Sequence, residues 1–386
     1  MSLSTLINTL GNGLFMTVEV IYFTLIVGLS PAKVALALSI AGGVALSVSV
    51  PAGHISDRFG PRDIASIAML LEGLLMFGLL RVHTYLPFLI INIGMAILGN
   101  ISQTMRMATI AKLGEGESRV SLRAYQRAVT NFGISLGTVF AGIGLAINTP
   151  FAYQLLLAGD AVTFILSGAV FRRMPFMQPT VERGEPITFQ ALRDTRFLGA
   201  TALNAINSLH FVLQSVAIPL WVVRETSAPR WWVSVIMMVN TIAVMLFQVA
   251  ASKGSGPVYA GAKLYRRASL AIAIACVLYS TSHGVGAITA SAILIVASGV
   301  HVYGELIGSA GSWSIGFGLA DEKHQGQYQG VWSLSWGLGG TLGPAFVTAM
   351  AITLGQKGWM IMATIFLVNG VLMHKLVTRS WVSTPA

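Results

Sequence analysis

Charged residues are scarce in this chain. Asp, Glu, Lys and Arg together make up 10% of its 386 residues, against roughly 25% in an ordinary soluble domain. Hydrophobic residues make up 54%, and the mean hydropathy is +0.73. This composition excludes an ordinary soluble domain and is typical of a protein whose helices are surrounded by lipid.

The chain also lacks the motifs of several common chemistries. It contains no GxxxxGK[ST] phosphate loop and no HExxH motif, so ATP-driven pumping and zinc-peptidase chemistry have no residues to carry them. Cysteine is limited to Cys276, inside an apolar run, where we expect a buried, unreactive thiol. No Cys or His cluster has metal-ligand spacing. We therefore expect no catalytic residues, no metal and no cofactor, and we do not expect an enzyme.

Apolar runs of bilayer-spanning length recur along the whole chain. About 20 apolar residues cross the hydrocarbon as a helix, and lipid-exposed backbone tolerates no open sheet. The sequence therefore predicts an all-α membrane protein with twelve spans. They cover residues 5–28, 32–53, 64–81, 86–110, 125–147, 152–171, 197–223, 231–252, 267–282, 286–309, 327–353 and 358–377.

A polar stretch from Arg172 to Arg196 separates six spans from six. The second span of each half begins with a similar segment, SPAKVALALSIAGG at Pro31 and APRWWVSVIMMVN at Pro229. Internal repeats of this kind are typical of secondary transporters. We predict two pseudo-symmetric six-helix bundles, residues 1–175 and 197–386, joined by a cytoplasmic linker at 176–196.

Basic residues are unevenly divided between the two sets of loops. Most of the 24 Lys and Arg residues lie on one side of the predicted membrane. By the positive-inside rule, this bias predicts a multi-pass protein of the cytoplasmic (inner) membrane with both termini in the cytoplasm. It also explains the net charge of +10 without a nucleic-acid partner. The first span has no Lys or Arg before it, so we expect it to be retained and not cleaved as a signal peptide.

A charged turn, GHISDRFGPR, lies between the second and third spans. It matches the loop signature of the major facilitator superfamily at Gly53, Asp57, Arg58, Gly60 and Arg62. Pro61 stands where that family usually has a basic residue. Through this loop, the span count and the central linker, the chain resembles bacterial twelve-span drug/proton antiporters of that superfamily. The resemblance implies the major facilitator fold and alternating access between inward-open and outward-open forms.

The same turn predicts a gate. The resemblance implies that Asp57 meets the start of the eleventh span near Gly326, where a carboxylate gains from lying at a helix N-terminus. Gly53 and Gly60 would permit the tight turn and the close approach of helices. The flanking Arg58 would pair with acidic loop groups or with lipid phosphate, as would Arg62. A positive-inside turn without a gating role is the alternative.

Glycine spacing gives a second, weaker resemblance. Gly133 and Gly137 lie in GISLGTVFAG on the fifth span, which resembles the antiporter signature of the superfamily but departs from it at two positions. Gly339 and Gly343 repeat the spacing on the eleventh span. Small residues four apart let membrane helices pack closely, so we expect these two spans to meet. Ordinary close packing is the alternative to an antiporter role.

Few ionisable groups lie inside the predicted spans, where each costs about 2.5–3.5 kcal/mol at a helix centre. Glu19 shares one helical stripe of the first span with Asn12, Phe15 and Tyr22. The resemblance implies that the first, fourth, seventh and tenth spans line a substrate cavity. We therefore expect Glu19 to take up and release protons and to attract cations. An interhelical hydrogen bond is the alternative.

A second polar face lies on the tenth span. His301 and Glu305 are four residues apart, so their side chains can share a proton, and they are either a second proton-coupling pair or a structural contact. The predicted substrate cavity also includes Asn207, His210, Gln214 and Trp336. Glu72 on the third span and Asp160 on the sixth lie on helices that the family places outside the cavity wall, so we expect structural contacts there.

Isolated carboxylates among aromatic, methionine and small residues favour proton-coupled efflux of small amphipathic or cationic compounds, as in a multidrug or metabolite exporter. The expected partners are a small-molecule substrate, protons and membrane lipids, and we expect a monomer. One alternative is a proton-symport or facilitative importer of a neutral nutrient. Another, from a different class, is a non-coupled membrane sensor or lipid scramblase.

Overall fold

The computed structural model describes residues 1–182, 185 and 188–379. The remaining residues, 183, 184, 186, 187 and 380–386, belong to the predicted linker and to the end of the predicted C-terminal bundle. That part of each prediction lies outside the described residues.

The described chain forms twelve long helical segments, one for each predicted span. In the first half they are α1 (Ser2–Ile21, then a π-helical turn at Tyr22–Ile26), α2 (Pro31–Phe59), α3 (Pro61–Leu79), α4 (Tyr85–Leu113), α5 (Glu117–Ile147) and α6 (Pro150–Arg172). A short linker helix, α7 (Gln190–Arg193), follows and is not one of the twelve. In the second half they are α8 (Thr195–Val212, then a π-helical turn at Leu213–Ala217) continuing into α9 (Ile218–Glu225), α10 (Trp232–Ala251), α11 (Val258–Thr281), α12 (Ala287–Gly318), α13 (Gln325–Thr348, then a π-helical turn at Ala349–Thr353) and α14 (Gly355–Arg379).

Nine of the described helices are long and apolar enough to cross a membrane by length and composition alone. The other three long segments are α3, α11 and α13. α3 carries both acidic and basic residues, α11 carries three basic residues, and α13 is rich in Gly, Ser and Gln. The prediction of an all-α chain is confirmed.

Several helices are longer than the apolar runs that predicted them. α2 continues to Phe59, where the apolar run ends at residue 53, and α12 continues to Gly318, beyond residue 309. Hydropathy marks where the lipid ends, whereas a helix continues through polar residues until a residue breaks it. For α2 that residue is Gly60, whose φ of +81° few other residues adopt. Pro61 then begins α3 at the first helical position, which proline favours.

Helix starts follow capping chemistry that is visible in the sequence. The Ser30 hydroxyl accepts a 3.4 Å hydrogen bond from the Lys33 N–H at the start of α2, and Pro31 is the first helical residue. At the start of α6, Thr149 accepts from the Ala152 N–H at 3.2 Å. Each hydroxyl satisfies one N–H that has no partner within its own helix.

Packing divides the chain into two compact units. The first contains Met1–Leu113, Gln126–Gln190 and Asp321–Val331; the second contains Gly114–Tyr125, Ala191–Ala320 and the chain from Trp332 onward. The first unit therefore includes the start of α13, and the second includes the start of α5. The predicted bundles differ from the units at these two places, because their boundaries followed the polar linker and the units follow contacts.

Each unit has its own aromatic core. In the first unit the rings of Phe23 and Phe88 lie 4.4 Å apart, within a buried cluster to which all six long helices of that half, α1 to α6, contribute. In the second unit Trp221 and Tyr279 both pack against Trp359, with ring centroids 5.6 and 5.4 Å away. The Trp221 indole N–H donates to the Tyr279 carbonyl at 2.9 Å. These rings fix the helices that carry the polar residues described below.

The paired glycines of α5 lie against α1. A Cβ added at Gly133 would lie 2.1 Å from the Thr9 hydroxyl oxygen, and one at Gly137 would lie 2.0 Å from the Leu10 carbonyl oxygen. No side chain fits at either distance. The two glycines therefore let α5 approach the backbone of α1.

The paired glycines of α13 lie against α8 in the second unit. A Cβ at Gly339 would lie 1.9 Å from the Ser208 hydroxyl oxygen, and one at Gly343 would lie 2.8 Å from Val212. The contacts of these glycines lie within each unit, on α1 and on α8, and the meeting of the fifth and eleventh spans stays a prediction. Spacing identifies residues that permit close approach, but it does not identify the partner helix.

Replacing Gly137 with Ala tests this packing. We expect Gly137→Ala to destabilise the protein by about 1–3 kcal/mol, because the added methyl group overpacks the contact with Leu10. The matched control is Gly142→Ala, five residues along the same helix, where an added Cβ meets nothing within 4 Å. Thermal unfolding of the purified variants, followed by tryptophan fluorescence, measures the difference. Equal midpoints for the two variants would contradict the packing argument.

Candidate functional site

A cavity of about 440 Å³ opens among α1, α2, α3, α4 and α6 in the first unit. Its wall combines carboxyl, amide, aromatic and thioether groups. The lining includes Asn12, Phe15, Glu19, Glu72, Asn92, Met95, Asn100 and Gln103. A small amphipathic molecule could contact apolar and polar groups together on such a wall.

Glu19 is the ionisable residue that α1 contributes to the wall of this cavity. It is 8% exposed, and its Oε1 atom has no hydrogen-bond partner among the described residues. Asn12 and Phe15 line the cavity with it, as one stripe of the helix. A carboxylate oxygen that is buried in this way favours a proton or a cationic group as its partner.

Tyr22 occupies a different environment from the rest of its predicted stripe. It is 3% exposed and packs edge-to-face on Phe23, with ring centroids 5.1 Å apart. Its hydroxyl accepts from the Gln154 side-chain N–H at 3.3 Å. A π-helical turn begins at Tyr22 and changes the 3.6-residue periodicity from which the stripe was predicted. Tyr22 is therefore a core residue in this structure and is absent from the lining of the cavity beside Glu19.

Two further acids lie near Glu19, and the sequence analysis assigned both to structural contacts. Glu72 on α3 lines the same cavity. Asp160 on α6 is fully buried, accepts from the Thr163 hydroxyl at 3.2 Å, and lies within Coulombic range of Glu19 and of Glu72. The sequence showed that Glu72 lies mid-span, but the face of α3 that carries it became clear only from the packed helices.

A half-buried arginine on α4 accompanies these acids. Arg106 on α4 donates to the hydroxyls of Ser167, at 3.3 Å, and Thr5, at 3.5 Å, and it lies within Coulombic range of Glu72. Of the three acids, Glu72 is the one that lies within Coulombic range of this guanidinium. Burying like charges together is unfavourable, so the group is stabilised when it takes up a proton or a cation.

The structure places Asp57 at the N-terminal end of α13, within the first unit. Its Oδ1 atom accepts from the Gly326 N–H at 2.7 Å and its Oδ2 atom accepts from the Gln327 N–H at 2.9 Å. The side chain is fully buried. These two N–H groups have no partner within α13, and the helix dipole favours a negative charge beside them. Asp57 therefore caps a helix whose second residue, Gly326, lies 269 positions later in the chain.

Two glycines of the same turn make this contact possible. A Cβ at Gly53 would lie 2.1 Å from the Gly326 carbonyl oxygen, so only glycine lets α2 approach α13 so closely. A Cβ at Gly60 would lie 2.5 Å from the Met177 carbonyl oxygen, and the residue also has a positive φ. Both positions therefore require glycine for steric reasons.

The two arginines of the turn bind the segment that follows α6. Arg58 donates to the backbone carbonyl of Glu185. Arg62 forms an ion pair with Asp63 at 2.9 Å and donates to the Met174 carbonyl at 3.1 Å. Their partners are thus one acidic side chain and the linker backbone.

Glu185 also joins the linker to the segment before α13. The Lys323 ammonium donates to its carboxylate at 2.8 Å. This hydrogen bond lowers the pKa of Glu185 and raises the pKa of Lys323, so both groups stay charged. Together with Asp57, the pair fastens Asp321–Val331 to the first unit.

In the second unit the structure adds a third group to the predicted His301 and Glu305 pair. His210 on α8 lies with them, and one ligand atom from each of the three residues lies within 4.8 Å of the others. All three side chains are buried. The Asn240 side-chain N–H donates to Glu305 Oε2 at 2.6 Å. The sequence spacing predicted no such cluster, because His210 and His301 are on helices far apart in the chain.

The other predicted cavity residues of the second unit lie near this cluster. Gln214 borders the same small cleft as His301 and Asn240. Trp336 is half-buried and packs on Phe211, with ring centroids 4.7 Å apart, and Phe211 in turn packs on His210 at 3.8 Å. Asn207, one turn before His210 on α8, is buried.

Comparisons with known proteins agree with this architecture. The chain is similar in fold to a bacterial homologue of the iron transporter ferroportin in its outward-facing state, with a TM-score of 0.70, 14% identity, and 99% of this chain and 98% of that chain covered. It is similar to the human organic anion transporter MFSD10 (TETRAN), with a TM-score of 0.65, 13% identity, and 96% and 97% covered. It is also similar to the proton:xylose symporter XylE, with a TM-score of 0.60, 13% identity, and 100% and 94% covered.

Identities this low show a shared fold and leave the substrate open. No protein of curated function matches the chain by sequence. The sequence profile described as Major Facilitator Superfamily matches residues 1–344. The chain therefore belongs to the Major Facilitator Superfamily, and it is an all-α multi-pass membrane transporter and not an enzyme.

Proposed function

We propose that this transporter couples the efflux of small amphipathic or cationic compounds to proton entry, by alternating access. The observation that carries the proposal is Glu19, a buried carboxyl in the wall of the first-unit cavity, one of whose oxygens has no hydrogen-bond partner among the described residues. A proton and a cationic substrate compete for such a group, and this competition is the simplest form of antiport.

The cavity wall supports a substrate with both apolar and polar parts. Phe15 and Phe164 offer aromatic faces, and Met76 and Met95 offer flexible thioether surfaces that adapt to different shapes. Aromatic faces also attract cations. A wall of this kind fits a range of lipophilic cations better than one rigid nutrient.

The neighbouring acids support proton coupling. Asp160 and Glu72 lie within Coulombic range of each other, and Asp160 lies within range of Glu19. A charge change at one carboxyl therefore alters the electrostatic free energy of the others. Since Glu19 and Glu72 both line the cavity, a bound cation acts on at least two of them.

Gating rests on the contact between Asp57 and α13. We propose that release of Gly326 and Gln327 from Asp57 accompanies the change between the two access states. Water can satisfy the same carboxylate and N–H groups when the helices part, so the free-energy cost of opening the contact is modest. Arg58 and the Lys323–Glu185 pair would loosen in the same step.

The membrane assignment follows from charge and hydropathy. We propose a monomer in the cytoplasmic (inner) membrane with both termini in the cytoplasm, because most of the 24 Lys and Arg residues then lie in cytoplasmic loops. The turn with Asp57 and the linker would lie on that side as well.

One observation favours a second candidate. Four amides, on Asn12, Asn92, Asn100 and Gln103, line the cavity, and amides bind the hydroxyl groups of neutral solutes. A proton-symport or facilitative importer of a neutral nutrient would use them. We rank it second because a neutral solute does not compensate the charge of the buried carboxyl groups in the same wall.

Neutralising Glu19 tests the coupling. We expect Glu19→Gln to abolish pH-driven accumulation of ethidium, a lipophilic cation, in proteoliposomes. We expect ethidium exchange at equal pH on the two sides to weaken but persist, because Glu72 and the aromatic wall still contact the cation, whereas the amide at position 19 cannot exchange a proton. The matched control is Glu225→Gln, at the end of α9 beside His283, which we expect to leave both fluxes unchanged.

The same vesicles separate the alternatives. pH-driven accumulation of ethidium that survives in Glu19→Gln would contradict the assignment of Glu19 as the coupling residue. Xylose accumulation under an inward proton gradient, without ethidium transport, would support the importer. Movement of a fluorescent lipid between leaflets, without accumulation of either solute, would support a scramblase.

Removing the Asp57 carboxylate tests the gate. We expect Asp57→Ala to speed amide hydrogen exchange in peptides covering residues 325–331 by at least about tenfold. Hydrogen bonds to a charged group contribute about 1.5–3 kcal/mol each, and 1.4 kcal/mol is a factor of ten. Mass spectrometry of the purified protein measures the exchange.

Asp63→Ala is the control for this experiment. Asp63 lies six residues further along, is partly exposed, and pairs with Arg62. We expect its removal to leave exchange in residues 325–331 unchanged. Unaltered exchange in Asp57→Ala would show that the cap does not hold the start of α13.

A further inference from the structure

Three metal-ligating side chains meet inside the second unit. One ligand atom from each of His210, His301 and Glu305 lies within 4.8 Å of the others. The residues are 0%, 3% and 1% exposed. The His301 Nε2 atom has no hydrogen-bond partner among the described residues. Such an atom is costly to bury unless something binds it.

The helices hold these groups in a defined arrangement. His301 and Glu305 are four residues apart on α12, so they extend from one face of the helix one turn apart. His210 comes from α8, three residues before the π-helical turn at Leu213–Ala217. Turns of this kind are frequent at functional sites because they redirect the side chains near them.

A second layer orients the carboxylate. The Asn240 amide on α10 donates to Glu305 Oε2 at 2.6 Å, and partners of this kind fix the direction in which a carboxylate presents its other oxygen. Gln214, Tyr279 and Ser298 border the same cleft. They supply oxygen atoms around the cluster without adding a cationic side chain.

The donor set selects the type of ion. Two imidazoles and one carboxylate suit divalent first-row transition metals, whereas calcium and magnesium take oxygen ligands almost alone. Zn²⁺ binds imidazole nitrogen and carboxylate oxygen at about 2.0–2.2 Å. Ligands around such an ion lie about 3–3.5 Å apart in tetrahedral geometry, so the widest gap must close by roughly 1–2 Å. Small side-chain rotations provide that movement.

We propose that His210, His301 and Glu305 form a binding site for a divalent first-row transition-metal ion, with Zn²⁺ as the reference ion and Asn240 as the residue that positions Glu305. The site belongs to the second unit and the Glu19 cavity to the first, so the two proposals stand or fall separately. Occupancy would link α8 to α12 through coordinate bonds.

The direct test is metal binding to the full-length protein. The chain is purified without a histidine tag, stripped with a chelator, and titrated with Co²⁺, which reports its ligands by visible absorption. We expect one tight site with the spectrum of a nitrogen and oxygen environment, and competition by Zn²⁺. X-ray absorption on the Zn²⁺ form should show two imidazoles. Absence of a stoichiometric site in the unaltered protein would overturn the proposal, whatever the variants do.

Variants assign the site to its residues. We expect His301→Gln and Glu305→Gln each to remove the Co²⁺ spectrum, and Asn240→Ala to weaken Co²⁺ binding by about 10–100-fold, the usual effect of losing an outer partner. His283→Gln is the matched control, because His283 lies beside Glu225 on an exposed loop. Binding that survives in His301→Gln, or that is lost in His283→Gln, would place the metal elsewhere and overturn the assignment.

Discussion

Burial of charge in a lipid-solvated helix bundle is the constraint on which this structure depends. Lipid offers no hydrogen bonds, so every buried carboxylate must find its partner within the protein or hold a proton. Asp57 meets two backbone N–H groups at 2.7 and 2.9 Å, and Glu305 accepts from Asn240 at 2.6 Å. Glu19 has an oxygen atom with no such partner among the described residues. The three carboxyl groups thus differ in how completely they are hydrogen-bonded, and this difference separates their roles.

A fully satisfied carboxylate holds a structure, whereas an incompletely satisfied one responds to ligands. Asp57 belongs to the first kind, because each of its oxygens accepts a backbone N–H and the glycine at position 53 lets α2 approach α13 closely. Its contact is still reversible, since water can replace each partner when the helices separate. Glu19 belongs to the second kind. The free energy of its charged form depends on what occupies the cavity, which is the property that a coupled transporter needs.

The sequence predicted what is local and periodic. Twelve apolar runs gave twelve long helices, and the turn from Gly60 to Pro61 ended α2 and began α3 because glycine and proline act through their own backbone. The position of Asp57 near Gly326 was predicted only through resemblance, since no local rule joins residues 269 positions apart. The face of Glu72, the core position of Tyr22 and the meeting of His210 with His301 depend on helix rotation. One π-helical turn is enough to change that rotation.

The two units share a packing scheme but differ in chemistry. In each, a glycine pair lies against the first long helix, Gly133 and Gly137 on α1 and Gly339 and Gly343 on α8. That helix carries a buried ionisable residue three positions before a π-helical turn, Glu19 in one unit and His210 in the other. Helix packing constrains backbone shape, and both units retain it. The ionisable side chain sets which ligand each unit can hold, so a carboxyl facing an open cavity suits protons and organic cations, whereas an imidazole beside a second imidazole and a carboxylate suits a metal ion.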